Sequence, residues 1–153
     1  FILLVFFSLL QVGYLFTGKT IINHASSVTA RSHIVGFDRA IVQRAMEVGS
    51  IGLSGHPTYP YYIVGLSTNT LGAMEPSFIQ EFISARDYTI HYEHWDLLDL
   101  DVPNGESDSL ITIGINVRDY PLDFPMTRAY TGDDTLTFSG QARMYNHAAY
   151  YLE

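Results

Sequence analysis

The chain has 153 residues, a net charge of −8 and no cysteine. This length suits one long helix plus one compact domain and is too short for two full-sized domains. Residues 1–50 hold four basic and two acidic residues, whereas residues 51–153 hold four basic and 14 acidic residues. Because nucleic acids are bound through clustered Lys and Arg, the acidic C-terminal part argues against a nucleic-acid partner. The absence of cysteine excludes disulfides and thiolate metal sites.

The first 16 residues are uncharged and almost entirely apolar, with only Ser8, Gln11 and Gly13 interrupting the run. As a helix they extend about 24 Å, close to the roughly 30 Å of a bilayer hydrocarbon core. Lys19 follows directly, where a long cationic side chain can reach the membrane surface. A cleaved signal peptide is the alternative, but no basic segment precedes the run and no clear cleavage site follows it closely.

Small and apolar residues continue at three- to four-residue spacing after this run, from Leu15 through Ile22 to Val35. This period predicts one helix that changes from apolar to amphipathic and continues to about Gly49, with Gly36 as a bend. We therefore expect residues 1–50 to form a helical segment and residues 51–153 to form an acidic extracytoplasmic head.

A phosphate-loop pattern, GYLFTGKT, occupies residues 13–20. A phosphate cradle needs small residues between its two glycines, whereas Tyr14, Leu15 and Phe16 would crowd it. The carboxylates that the motif requires elsewhere are also poorly placed, since Asp96 and Asp99 do not end an apolar strand. Nucleotide binding is therefore only the third-ranked hypothesis.

The head shows three kinds of pattern. Residues 53–74 lack a sustained period and predict a long loop. Residues 76–86 have a helix-start sequence and one apolar face, which predict a helix. Period-two alternation predicts antiparallel strands near 88–95, 110–118 and 135–145. We expect an α+β fold in which the long N-terminal helix packs on a small antiparallel sheet.

Two segments carry a family resemblance. In FFSLLQVGYLFTGKTIINHASSVTARSHIVG an apolar stretch runs into Asn23, a small-residue segment and Arg31, and LTFSGQARMYNHAAYYLE looks like a closing strand. Together they resemble type IV pilins and pseudopilins, and within that group the TadE-like minor pilins of tight-adherence pili. The resemblance covers about the first 36 and the last 18 residues.

One feature departs from the pilin pattern. Such pilins usually carry a glutamate near the mature N-terminus, whereas the first acidic residue here is Asp38. Two explanations stay open: Phe1 corresponds to the processed N-terminal phenylalanine of a pilin, or a few residues that include a glutamate precede it.

Few residues in the head have the spacing of a chemical site. On a strand, His91 and His94 would point to opposite faces, so we expect no shared metal between them, and His91 with Glu93 is read as a surface pair. The segment GLSGH at 52–56 is read as a turn rather than as a nucleophile elbow. A weak calcium candidate consists of oxygen ligands in an acidic loop, which we expect to be simply solvated: Asp99, Asp101, Asn104, Glu106 and Asp108.

The resemblance implies a structural subunit of a cell-surface filament, without enzymatic activity or cofactor. The subunit would sit in the cytoplasmic membrane before it polymerises with copies of itself or with other pilins, and its acidic head would remain exposed. Lys19 and Arg31 are candidates for ion pairs between subunits. The runner-up hypothesis is a monomeric binding domain held in a membrane by a single helix. The residues expected in the filament core or membrane are Phe1, Leu4, Phe7, Leu10, Tyr14, Leu15, Gly18, Ile22 and Ala25.

Overall fold

A computed structural model describes residues 1–59, 76–77, 79–80, 83, 90–102, 110–122, 132 and 135–146. The described elements are α1 (Ile2–Ile34), α2 (Arg39–Gly49), β1 (Pro57–Tyr59), β2 (His91–Tyr92), β3 (Leu98–Asp101), β4 (Leu110–Pro121) and β5 (Thr135–Tyr145), with 3₁₀ turns at Ile51–Leu53 and Trp95–Leu97. A long N-terminal helix and a small antiparallel sheet are both present, so the predicted α+β layout is confirmed at this level.

The first helix ends earlier than predicted. We expected one helix as far as Gly49 with a bend at Gly36, but α1 stops at Ile34 and a separate helix begins at Arg39. Gly36 has φ 84°, a left-handed conformation that favours glycine and terminates helices. The prediction of a continuous helix is therefore wrong, and Gly36 is a chain reversal rather than a bend.

After this reversal α2 packs back along α1 as a helical hairpin. A Cβ built at Gly49 would lie 3.0 Å from Ala25 Cα, and one built at Gly52 would lie 3.1 Å from Ile21 Cδ1. Gly49 at the end of α2 meets Ala25, and Gly52 three residues later meets the earlier Ile21, so the chain runs antiparallel to α1. Small residues at the contact allow this close approach of the backbones.

The main sheet has the order β3-β4-β5, and both pairs are antiparallel. The predicted strands near 110–118 and 135–145 coincide with β4 and β5. In β4, Ile111, Ile113, Ile115 and Val117 are buried, as the sequence alternation predicts. In β5 the even-numbered residues face inwards and include the buried Gly140 and Ala142.

The helical hairpin covers the inner face of this sheet. Ile22, Ala25 and Met46 form one core cluster with Ile115 and Val117. Further along α1, a second cluster joins α1 to β4 and β5 and consists of Ala30, Ile111, Ile113 and Ala142. Since burial of each Ile, Val or Met side chain stabilises a fold by roughly 1.5–3 kcal/mol, the C-terminal half of α1 is an integral part of the head.

A β-bulge reorients the end of β4. Val117 pairs with Phe138, but the next pair is Tyr120 with Leu136, so β4 holds one residue more than β5 between these positions. Asp119 within the bulge has φ 51°. The extra residue reverses the alternation, and as a result Tyr120 points into the core. There its hydroxyl lies 2.5 Å from the hydroxyl of Tyr14 on α1.

The remaining described part of the head is a two-stranded ribbon, β1–β2, that packs near the end of α2. The predicted strand near 88–95 is much shorter here, because β2 ends at Tyr92 and a 3₁₀ turn begins at Trp95. Ile90, Tyr92 and Trp95 form a third core cluster with Val48 of α2 beside it. The described residues of the segment predicted as a helix near 76–86 are helical: Pro76, Ser77, Ile79, Gln80 and Ile83.

Candidate functional site: the exposed apolar face of α1

The N-terminal half of α1 exposes a continuous apolar surface. Phe6 is 53% exposed, Leu9 68% and Phe16 75%, and no charged side chain occurs before Lys19. We call this surface the apolar face, and it comprises Ile2, Leu3, Val5, Phe6, Leu9, Leu10, Val12 and Phe16. A contiguous patch of this kind marks an interaction site in a folded protein.

The opposite side of the same half-helix is shielded by the chain itself. Leu4, Phe7 and Leu15 are partly buried, and Gln11 is only 6% exposed. Packing of the chain against α1 therefore extends towards its N-terminus at least as far as Gln11. Only one side of the N-terminal half of α1 is open to a partner.

The structure divides the residues that the sequence placed in a filament core. Phe1, Leu10 and Tyr14 are exposed, whereas Gly18, Ile22 and Ala25 are buried within the chain's own head. The sequence reasoning followed the stripe that continues into the amphipathic half, and that stripe faces the head. It missed the other side of the helix, where Leu3, Phe6, Leu9, Val12 and Phe16 are exposed. The uninterrupted apolar character of these residues could have identified this side of the helix as a contact surface.

The hydroxyl side chains of α1 are hydrogen-bonded within the helix itself. Each of the following hydroxyls donates to the backbone carbonyl four residues earlier, a bond that satisfies the hydroxyl inside the helix: Ser8, Thr17, Thr20, Ser26, Ser27, Thr29 and Ser32. Ser8 and Thr17 lie in or next to the apolar half. Because their hydrogen bonds are internal, these residues can enter apolar surroundings at little cost.

The two cations proposed for ion pairs between subunits lie in different settings. Lys19 Nζ donates to the backbone carbonyl of Ser139 on β5, so it joins α1 to the head of its own chain. Arg31 is exposed and lines an open, mostly apolar groove with Ile34, Met144 and Tyr145. Both side chains are exposed, and Lys19 is the one bonded to the head of its own chain.

The phosphate-loop pattern lies inside α1, which is helical without interruption from Ile2 to Ile34. In a helix the backbone N–H groups are bonded to carbonyls one turn earlier, so they cannot cradle a phosphate. The segment therefore lacks the loop conformation on which nucleotide binding at this pattern would depend.

The other candidate sites are either dispersed or outside the described residues. Asp99 pairs with Arg118 on the neighbouring strand, and Asp101 is exposed near Gly114. The other three calcium candidates, Asn104, Glu106 and Asp108, lie outside the described residues. Within the described part of the chain, no group of three or more His, Asp or Glu side chains is placed to hold a metal ion.

The GLSGH segment and His91 both have local structural roles. Ser54 in the GLSGH segment is buried, and its hydroxyl donates to the carbonyl of Ser50 at 2.8 Å. This segment forms the turn after a 3₁₀ helix, and Gly55 has φ 76°. His91 contacts Asp96, with 3.5 Å between Nε2 and the carboxylate, rather than the Glu93 expected from the sequence.

By length and composition α1 qualifies as one helix able to cross a membrane, and only 11% of its most apolar 18-residue window is buried. Signal sequences and core helices of soluble proteins meet the same criteria of length and composition, but a core helix would be mostly buried. Comparison of the chain with protein-family models, with curated proteins and with solved structures gave no match. The apolar face and the fold therefore carry the functional argument.

Proposed function

We propose that this chain is a structural subunit of an extracellular, pilus-like filament, which it enters through the apolar face of α1. The observation that carries the proposal is the division of α1 into two parts. Its C-terminal half is packed into a small head through Ile22, Ala25 and Ala30, while its N-terminal half presents large apolar side chains to the surroundings. The C-terminal half of α1 thus serves the fold of the head, and the N-terminal half serves association.

Burial of the apolar face would supply substantial free energy. Transfer of a Leu or Phe side chain from water to an apolar environment contributes roughly 1.5–3 kcal/mol. Eight large side chains form this face, so its exposure to water is strongly disfavoured, and it requires a cover of lipid before assembly and of neighbouring helices afterwards. Identical subunits that contact one another through different parts of this face build an open helical polymer rather than a closed dimer.

The proposed filament keeps the acidic head outside and copies of α1 inside. Before assembly the same apolar face would rest in the cytoplasmic membrane. One feature distinguishes this chain from the pilin pattern that it resembles, namely the break of the helix at Gly36. Association in this proposal rests on packing of the apolar face, and Arg31 is available to pair with acidic groups of a neighbouring head.

A matched pair of charge substitutions tests the proposal. Leu9→Glu places a carboxylate on the apolar face, and Gln141→Glu places one on the exposed face of β5. We expect Leu9→Glu to abolish fibres in material sheared from producing cells, because a buried, unpaired carboxylate costs several kcal/mol. Gln141→Glu should assemble normally. Normal fibres from the Leu9→Glu variant would contradict the proposal.

A second candidate is a monomeric binding domain that α1 anchors in a membrane. The length of α1 and the low burial of its most apolar window favour this role as much as they favour assembly. The two proposals differ in the state of the chain at the cell surface. An anchored monomer stays in the membrane fraction and yields no sheared fibres, whereas a filament subunit appears in both fractions.

A further inference from the structure

Two tyrosine side chains meet where α1 passes the end of β4. The hydroxyl oxygens of Tyr14 and Tyr120 lie 2.5 Å apart and share a hydrogen bond. The ring centroids are 6.1 Å apart, and the ring planes are inclined to each other by 34°. Because the two residues are 106 positions apart in the sequence, it is the fold that brings their phenols together.

The ring of Tyr120 is held in place from several sides. Tyr120 is only 2% exposed, and its ring meets those of His94 and Phe138 edge-on, with 5.4 Å and 5.6 Å between the centroids. The bulge at Asp119 turns this ring towards α1. Tyr120 is therefore a fixed partner whose hydroxyl already faces Tyr14.

Tyr14 is the accessible member of the pair. It is 38% exposed, whereas Tyr120 is buried. Of the other side chains that one-electron oxidants attack, cysteine does not occur in the chain, and the only tryptophan, Trp95, is 5% exposed. An oxidant in solution therefore reaches Tyr14 more readily than it reaches Tyr120 or Trp95.

Oxidation of one phenol can pass to the other through their hydrogen bond. A one-electron oxidant takes an electron from Tyr14, the phenolic proton leaves to solvent, and a neutral phenoxyl radical remains. The hydrogen atom of the Tyr120 hydroxyl can then move across the short contact to Tyr14. A second oxidation of Tyr14 leaves both residues as radicals, so the buried phenol is oxidised through the exposed one.

Two phenoxyl radicals held side by side couple to each other. Part of the unpaired electron lies on the ring carbons next to the carbon that bears oxygen, and the hydroxyl contact brings these parts of the two rings together. A bond forms between one such carbon of each ring, and the hydrogen on each carbon moves to its own oxygen. The product is a dityrosine, and the chain has lost two electrons and two protons. Fixed proximity favours this coupling over encounters between chains.

We propose that Tyr14 and Tyr120 form an oxidative cross-linking site, at which a one-electron oxidant joins α1 covalently to β4 within one chain. The bond would serve as a disulfide does, in a chain that has no cysteine to form one. It would fasten the helix that carries the apolar face to the sheet of the head. The site depends on the fold of the head and not on the proposed filament function.

The sequence allows the link to be identified directly, because trypsin cleaves after Lys and Arg. The tryptic fragment 1–19 contains Tyr14 as its only tyrosine, and the fragment 119–128 contains Tyr120 as its only tyrosine. Mass spectrometry of the linked fragments should give the sum of the two masses less two hydrogen atoms. No other pair of tyrosines gives this product.

The experiment uses the full chain, dilute and in neutral detergent micelles. The oxidant is a ruthenium tris-bipyridyl complex activated by light in the presence of persulfate, and each persulfate accepts two electrons to become two sulfate ions. We expect the linked fragments in the monomeric fraction, with a yield about tenfold or more above that from the same chain unfolded in urea. The thermal unfolding midpoint of the linked monomer should rise by about 10 °C, because the link closes a long loop.

Two variants serve as controls. Tyr14→Phe keeps the ring but lacks the phenol, so it should give no linked fragments and no rise in the midpoint after the same treatment. Its midpoint before oxidation shows that it is folded. Tyr145→Phe removes a 64% exposed tyrosine at the end of β5, and it should form the link as the unaltered chain does.

Two results would overturn the cross-linking site. One is dityrosine that occurs only between chains, in dimers and in other tryptic fragments, which would mean that Tyr14 and Tyr120 do not couple. The other is an equal yield of the linked fragments from folded and unfolded chains, which would mean that the fold does not bring the two phenols together. Fibre formation is not measured here, so failure of the cross-link and failure of the filament proposal are separate outcomes.

Discussion

Gly140 marks the closest approach between the sheet and α1. A Cβ built there would lie 2.5 Å from Ile22 Cγ2 and 2.9 Å from the Ile22 carbonyl carbon. Because the second atom belongs to the helix backbone, the clash cannot be relieved by a change of rotamer. We expect Gly140→Ala to destabilise the head by about 2–3 kcal/mol, measured by urea unfolding.

The control is a glycine in the neighbouring strand. A Cβ built at Gly114 would lie 3.4 Å from Asp101 Cβ, an ordinary contact. Gly114→Ala should therefore change stability by less than about 0.5 kcal/mol. Equal effects of the two substitutions would show that α1 does not pack against β5 as closely as the structure has it.

The raised pKa of Glu47 makes the free energy of unfolding depend on pH. Burial raises its pKa above the unfolded value of 4.5, so the folded chain binds the proton more tightly than the unfolded chain does. Stability therefore falls as pH rises from below 4.5 to above the raised value. We expect Glu47→Gln to be more stable than the unaltered chain at pH 7.5 and equally stable at about pH 4, measured by urea unfolding at both pH values.

A matched carboxylate elsewhere separates burial from the overall charge. Glu93 is exposed, so Glu93→Gln makes the same change of charge without relieving a buried group. We expect it to leave stability within about 0.5 kcal/mol at both pH values. A gain at pH 7.5 as large as that of Glu47→Gln would trace the effect to net charge instead.

Among the elements, the reversal between α1 and α2 depends on Gly36. Its φ of 84° is unfavourable for residues with a Cβ, by roughly 1–2 kcal/mol. Gly36→Ala should lower the unfolding free energy by about 1 kcal/mol, measured by urea unfolding. Gly36→Asn should cost less, because asparagine enters the left-handed region more easily. If alanine and asparagine were equally tolerated, the reversal would not require a left-handed residue.

The bulge in β4 is the element that directs Tyr120 towards α1. Asp119 has φ 51°, so glycine should suit this position better than aspartate, and a β-branched residue should suit it worse. We expect Asp119→Gly to stabilise the head by about 0.5–1 kcal/mol and Asp119→Val to destabilise it by at least 1 kcal/mol. Thermal unfolding of the pair checks this, and a loss of stability in the glycine variant would contradict it.

The sequence predicted some of these elements well, for identifiable reasons. Alternating Ile111, Ile113 and Ile115 specify an inward face in β4, and the period of two leaves little freedom in the register. The helix reversal was missed because an apolar stripe looks the same whether a helix continues or folds back. What decides between the two is burial of Val42 and Met46 in the head's own core, which is a tertiary effect.

The sequence predicted that α1 is an association element but not which side of it is exposed. The apolar run identified α1 as an association element, but its helical period could not say which side the head would cover. The structure shows that Gly18 and Ile22 belong to the head, which leaves the side that carries Phe6, Leu9 and Phe16 exposed. The sequence did not predict the bulge at Asp119, because an aspartate there is equally compatible with a turn that ends the strand.

At the scale of the whole molecule, a small acidic head is joined to a helix whose N-terminal half exposes the apolar face. The head uses the C-terminal half of α1 for its core, and the molecule therefore cannot release that half to a partner without unfolding. Only the N-terminal half is available for association. Contacts between subunits should therefore be confined to this half of α1.

Because the chain contains no cysteine, single-cysteine variants can map the contact without background. Leu9→Cys is on the apolar face and Gln141→Cys is on the exposed face of β5. After treatment of intact cells with a bifunctional maleimide, whose arm does not require direct contact between the two cysteines, we expect linked dimers of Leu9→Cys in the sheared, fibre-containing fraction and none of Gln141→Cys. Absence of fibres, or cross-linking through position 141 alone, would contradict assembly through the apolar face of α1.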